Sequence, residues 1–84
     1  MSEERRILGK WMIANLLPRL DGRKTQRWAI WNHSGVYLGV VKWEGGWRQY
    51  VFWPEPSTLW AASCLTDLAA FVADLNAEQK AGVR

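Results

Sequence analysis

Residues 27–54 read RWAIWNHSGVYLGVVKWEGGWRQYVFWP, three runs rich in the Val, Tyr, Phe and Trp that strands favour. Glycine-containing segments separate the runs, and Gly35 suits the positive φ of a tight turn. Because turns this short join antiparallel neighbours, the pattern predicts a three-stranded meander ended by Pro54. The predicted strands span about residues 27–32, 36–43 and 47–53, with a turn at 44–46.

A helix is predicted on each side of this meander. The N-terminal 17 residues contain a wide apolar sector at helical spacing over residues 3–17, with an N-cap at Ser2 and a stop at Pro18. Residues 63–76 repeat leucine and valine at helical spacing behind an N-cap at Ser63. The expected fold is therefore α+β, in the order α-β-β-β-α.

The 84 residues are expected to form a single domain. Residues 18–26 are predicted to be a basic loop, because an Asp-Gly pair there is a turn signal and the charge density suits solvent. Residues 77–84 are predicted to be a frayed tail after the second helix.

Tryptophan is the most informative residue type, with seven copies in a small chain. A core of this size cannot enclose seven indoles, and strand alternation leaves bulky apolar groups on both sheet faces whatever the register. The C-terminal helix is expected to cover one face. The second face is covered by the N-terminal helix, is covered by a second copy of the chain, or forms a recognition surface.

Trp and Arg are the residues most enriched in the hot spots of interfaces. The meander supplies both types, together with a tyrosine and a lysine. The predicted partner-binding residues are Arg27, Trp31, Tyr37, Lys42, Trp43, Trp47 and Arg48.

Charge is divided unevenly along the chain, which has a net charge of +3. Residues 19–48 contain six basic and two acidic side chains, whereas residues 55–84 contain four acidic and two basic ones. An anionic partner would therefore meet the middle of the chain. Arg19, Arg23 and Lys24 are the candidates for phosphate contacts.

Catalytic chemistry is not indicated. His33 is the only histidine and lies in a predicted turn, and Cys64 is interpreted as a small buried residue. No His, Cys or Asp cluster has metal-ligand spacing, and no glycine-rich loop precedes a helix. We expect no enzyme activity, no cofactor and no metal. A lone cysteine fits a cytoplasmic protein, and no segment has the roughly 18–20 apolar residues that span a membrane.

The sequence resembles a group of small phage and bacterial mobile-element proteins that has no established activity. The resemblance covers about residues 28–76 and implies a three-stranded sheet with a C-terminal helix and a mobile-element setting, but no reaction. The residues that carry it are WNHSGVYLGVVKW at 31–43, WRQYVF at 47–52, Pro54, Thr58 and Cys64-Leu65.

Two further likenesses concern nucleic acids. Double-stranded-RNA-binding domains have the same α-β-β-β-α order, but residues 63–67 lack the lysine cluster that those domains place on phosphates. Plant transcription-factor and integrase-arm domains read DNA with Arg and Trp side chains of a three-stranded sheet. Arg27, Trp31, Trp47 and Arg48 are similar to that arrangement.

Three functions remain as alternatives. The first is protein binding, with inhibition of a host defence complex by a phage protein as the specific form. The second is nucleic-acid binding through a basic arm and sheet aromatics. The third is a homodimer or larger homo-oligomer with a structural role. Protein binding ranks first because the net charge is modest and the last helix is acidic.

Overall fold

A computed structural model describes residues 4–19 and 24–81. Five strands form one antiparallel sheet in chain order, and a single helix follows them. The α+β class, the antiparallel meander and the C-terminal helix are confirmed, but the sheet has five strands instead of the predicted three, and the described residues contain no N-terminal helix. The elements are β1 Arg5–Leu8, β2 Met12–Leu16, β3 Arg27–Asn32, β4 Tyr37–Glu44, β5 Gln49–Pro54 and α1 Ala62–Lys80.

The predicted N-terminal helix is instead a hairpin of β1 and β2. Its turn begins at Gly9, whose φ of 62° is left-handed and lies outside the range of a helix residue. Leu8 pairs with Met12, and both side chains are buried towards α1. Ile7 pairs with Ile13 on the other side of the sheet. The apolar residues therefore follow strand alternation, and the proposed cap at Ser2 lies outside the described residues.

A β-bulge in β4 changes which side chains share a face. Ile30 pairs with Gly39 and Trp31 pairs with Tyr37, so Leu38 is an extra residue in β4. Gly39 has a φ of 148°, and a Cβ there would collide with the carbonyl of Trp53. Because of the bulge, Tyr37 lies on the same face as Val40 and Lys42.

One helix covers one face of the sheet. Leu68, Phe71 and Leu75 are the buried residues of α1. Phe71 meets the fully buried Trp28 edge to face, with ring centroids 5.3 Å apart. The indole N–H of Trp28 donates to Gln26 Oε1 at 3.1 Å, so burial leaves no unpaired donor on that ring.

The bounds of α1 differ from the prediction at both ends. Ala61 is the N-cap residue and makes no side-chain cap, whereas Ser63 lies inside the first turn. The helix continues to Lys80, so residues 77–80 are not a frayed tail. Glu78 accepts a hydrogen bond from Arg6 of β1 at 3.3 Å, which holds this end of the helix to the sheet. Residues 82–84 lie outside the described part.

The predicted loop at 18–26 is described only in part. Residues 18–19 and 24–26 lie outside the strands and the helix, and residues 20–23 are not described. The backbone N–H of Gln26 donates to the Tyr50 hydroxyl at 3.0 Å, which fixes the approach to β3. Within the described residues, no helix is long and apolar enough to span a membrane.

Candidate binding surface

The sheet face opposite α1 is called the open face here, because no described element packs over it. The strand register and the alternation of side chains along each strand show which side chains lie on this face, and most of them are apolar. Its apolar members are Ile7, Ile13, Ala29, Trp31, Tyr37, Val40, Val51 and Trp53. A sheet face exposed only to water would alternate to polar residues, so this composition indicates a surface that something covers.

An apolar row crosses four strands of the open face. Ile7 pairs with Ile13, Ile13 with Trp31, and Trp31 with Tyr37. The Trp31 and Tyr37 rings contact each other at 5.2 Å between centroids. Ile7 is 67% exposed on the edge strand, which is a large exposure for an isoleucine in a strand. The row therefore offers continuous apolar area from the β1 edge to β4.

A second contact lies on the β5 side of the open face. Val40 pairs with Trp53, and Lys42 Nζ lies 4.6 Å from the Trp53 ring centroid. This cation–π geometry holds the lysine stem along the indole while Trp53 remains 42% exposed. Trp47 and Trp53 also flank a slot of about 300 Å³ beside Val51. The slot is wide enough to accept an apolar side chain of a partner.

Positive charge predominates on the open face. Arg5, Arg27 and Lys42 lie on it, Glu44 is the acidic residue that the strand register assigns to it, and Glu55 lies near Tyr37. Arg27 donates from Nη2 to the carbonyl of Pro18 at 2.8 Å. Its Nε is buried and has no hydrogen-bond partner among the described residues.

Helix α1 has the opposite charge. It contributes Asp67, Asp74 and Glu78 against Lys80. Helix α1 and the open face therefore differ in the sign of their net charge, although Arg6 and Arg48 add positive charge on the helix side of the sheet.

Among the described residues, Tyr37 has a phenol whose pKa is shifted by its surroundings. Burial raises the pKa of its phenol above the ordinary 10.0, and the negative charge of Glu55 raises it further. Tyr37 therefore stays neutral and able to donate a hydrogen bond well above neutral pH.

Four of the seven predicted partner-binding residues lie together on the open face: Arg27, Trp31, Tyr37 and Lys42. Trp43 lies on the opposite side, where its ring meets Tyr50 edge to face at 5.4 Å. The bulge at Leu38 explains this separation, since it puts Tyr37 and Lys42 on one face although their numbers differ by five.

Trp47 and Arg48 lie in the β4–β5 turn and not in a strand. The turn covers residues 45–48, one residue longer than the prediction, and β5 begins at Gln49. Arg48 has a φ of 58° and its N–H donates to the Glu44 carbonyl at 2.7 Å, which closes the turn. Trp47 is 69% exposed at the tip.

Sequence reasoning missed several members of the open face. Arg5, Ile7 and Ile13 were assigned to a helix, and Val51 and Trp53 were not chosen although they alternate along β5. The signal that could have identified the first group is Gly9, which separates two short apolar runs.

The predicted phosphate-contacting residues are described in part. Arg19 and Lys24 are exposed. Arg23 lies outside the described residues. Neither exposed side chain forms a salt bridge within residues 4–19 and 24–81.

His33 and Cys64 line one small cup at the opposite end of the molecule from the β4–β5 turn, together with Trp11 and Trp60. His33 is exposed in the β3–β4 turn, and Cys64 is half-buried on α1. In the described part of the chain, no group of three His, Cys, Asp or Glu side chains could hold a metal ion.

Tryptophan exposure agrees with the surplus of indole noted in the sequence. All seven tryptophans lie in the described residues, and Trp28 is the one in the buried core. Trp11, Trp47 and Trp53 are exposed, and the other three are half-buried.

Comparison with known proteins gives no match: no protein family, no curated protein and no solved structure is similar to this chain. The resemblance to phage proteins therefore stays a prediction. The likeness to double-stranded-RNA-binding domains is wrong, because it required an N-terminal helix and three strands, whereas residues 4–19 and 24–81 form five strands and a single C-terminal helix.

Proposed function

We propose that this protein is a non-enzymatic binding module whose open face docks on a protein partner. The observation that carries the proposal is the sheet face that no described element covers, on which Trp31, Tyr37 and Trp53 lie among branched aliphatic residues. Aromatic anchors of this kind supply most of the affinity in protein interfaces. The proposed role as a phage inhibitor of a host defence complex depends on the sequence resemblance and is the finer form of this proposal.

The positive charge of the open face indicates which kind of partner it would bind. Arg5, Arg27 and Lys42 would meet carboxylates around an apolar centre on the partner. A second copy of the chain is a poorer fit, because two cationic open faces would repel each other across the interface. The partner is therefore a different protein with an acidic surface.

Nucleic acid is the second candidate, favoured by the presence of Arg27 and Lys42 on the face that carries the aromatics. Bases stack on such rings at about 1–3 kcal/mol each. The aliphatic residues Ile7, Ile13, Val40 and Val51 favour protein, because they separate the rings and offer no stacking plane.

The test is quantitative capture of partners from a nuclease-treated bacterial lysate with immobilised protein. We expect one stoichiometric acidic partner with the wild type. Trp53→Ala is expected to weaken its binding about tenfold, and Lys42→Glu to abolish capture.

Leu65→Asp is the matched control, since Leu65 is exposed on α1 away from the open face. Thermal unfolding checks that each variant folds. If Leu65→Asp reduces capture as much as Lys42→Glu does, the open face is not the docking surface. Capture that requires intact nucleic acid, or a gel shift at about 50 mM salt, would favour the second candidate. Sedimentation as a dimer would favour a second copy.

A further inference from the structure

A groove lies on the helix side of the sheet, between the β4–β5 turn and the last turns of α1. Its volume is about 670 Å³, within the range of small-molecule sites. We propose that this groove binds a mononucleotide, a ligand that combines a flat ring with an anionic group. The groove lies on the other side of the sheet from the open face, and Trp47 is the one residue that lines both the groove and the slot beside Val51.

The groove walls suit a flat ring. Trp43 and Trp47 form the aromatic side, and Ala73 and Ala77 are the small residues that α1 presents to it. The Trp43 ring is held by its edge-to-face contact with Tyr50, whereas Trp47 is free at the tip of the turn. Small residues opposite two indoles leave room for a base to enter and stack.

The lining charges suit an anion. Arg48 and Lys80 line the groove, and no carboxylate does. The nearby acidic side chains are engaged elsewhere: Glu44 accepts from the N–H of Gly46 at 3.1 Å, and Glu78 from Arg6. Neither cation forms a salt bridge within residues 4–19 and 24–81.

The two cations have different roles. Lys80 lies in the last turn of α1, where it offsets the partial negative charge of the free carbonyls. Arg48 extends from the turn on the other side and is the main phosphate contact, since its guanidinium can bind phosphate oxygens in pairs. Its left-handed backbone costs about 1 kcal/mol or more for a residue other than glycine. The fixed turn geometry presents Arg48 at the groove.

The test is an NMR titration of the seven indole N–H signals with AMP, assigned by single Trp→Phe variants. We expect the Trp43 and Trp47 signals to shift and the Trp11 signal, at the other end of α1, to stay unchanged. Arg48→Ala is expected to weaken AMP binding about tenfold, as for the loss of one charge-assisted hydrogen bond. Lys10→Ala, in the β1–β2 turn, is the matched control and is expected to leave the affinity unchanged.

Three outcomes would overturn the proposal. One is the absence of any indole shift at millimolar AMP. Another is equal binding of adenosine and AMP, which would show that the cations do not contribute. The third is an equal loss of affinity in Lys10→Ala and Arg48→Ala, which would indicate non-specific attraction. Because Arg48→Ala and Lys10→Ala do not change the open face, failure here is distinguishable from failure of partner capture.

Discussion

The side-chain amide of Asn76 hydrogen-bonds both backbone groups of Tyr50. Asn76 Oδ1 accepts from the Tyr50 N–H at 2.7 Å, and Nδ2 donates to the Tyr50 carbonyl at 3.4 Å. Tyr50 lies on β5, the outer strand of the sheet, so one helix side chain takes the place that a sixth strand would occupy there. Free strand edges are templates for aggregation, and this contact occupies the Tyr50 N–H and C=O on the β5 edge.

Asn76→Ala is expected to lower the free energy of unfolding by about 1–3 kcal/mol, because both Tyr50 groups lose their partner. Urea denaturation measures the change. Gln79→Ala, one turn later on α1, is the control and should change stability by no more than about 0.5 kcal/mol. Equal effects of the two substitutions would mean that the contact does not stabilise the edge.

Substitution of the neighbouring residues Arg5 and Arg6 of β1 is expected to have different effects on stability and on partner binding. The Arg6 guanidinium lies 4.8 Å from the buried Trp28 ring and bonds Glu4 and Glu78, whereas Arg5 is exposed on the open face. Arg6→Ala should cost about 1–2 kcal/mol through lost packing and cation–π contact. Arg5→Ala should leave the unfolding midpoint unchanged and weaken partner capture. A loss of stability in Arg5→Ala, with none in Arg6→Ala, would show that the two faces of β1 are the reverse of those described.

Gly9→Ala is expected to destabilise the fold more than Gly35→Ala. Both glycines have positive φ, but a Cβ at Gly9 would overlap the Asp67 carboxylate, whereas Gly35 has open space. Thermal unfolding of the two variants gives the comparison. Adding Asp67→Ala to Gly9→Ala should restore the part of the loss due to the collision and leave the part due to backbone strain. No recovery would mean that the collision contributes nothing.

Tyr37 should make stability depend on alkaline pH. Its pKa in the folded state lies above 10.0, so the neutral phenol contributes stability below that pH, and the contribution is lost as pH rises through the folded pKa. Ultraviolet titration, compared with that of Tyr37→Phe, should show the Tyr37 phenol ionising at a higher pH than a free tyrosine. Glu55→Gln should move that ionisation to lower pH, since a repelling charge is removed, and Tyr37→Phe should abolish it. An unchanged titration in Glu55→Gln would rule out the charge contribution.

The meander could be predicted from sequence because its signals are local. Strand-forming residues and glycine turns follow one another between Arg27 and Pro54, and β3 matches the prediction residue for residue. The N-terminal hairpin could not, because Ile7, Leu8, Met12 and Ile13 fit one face of a helix as well as two short strands. The strands are favoured by the pairing of Ile13 with Trp31. These residues are far apart in the sequence, so the spacing of nearby residues does not predict their contact.

The candidate surface could be predicted from the sequence only where side chains alternate regularly between the two faces of a strand. Arg27 and Trp31 share a face by simple alternation, but the extra residue Leu38 decides that Lys42 joins them and that Trp43 does not. Pairing register is a property of two strands together, and a single strand's pattern does not specify it. Trp47 was misplaced for a related reason: the turn is longer than its two glycines suggest and ends at Arg48.

The opposite net charges of helix α1 and the open face give the described part of the chain an electric dipole. Within about one Debye length of an anionic object, roughly 10 Å at 0.1 M salt, that dipole would rotate the molecule before any contact forms. The open face would then be the first part of the molecule to reach the anionic object. Added salt should slow such encounters while changing dissociation far less.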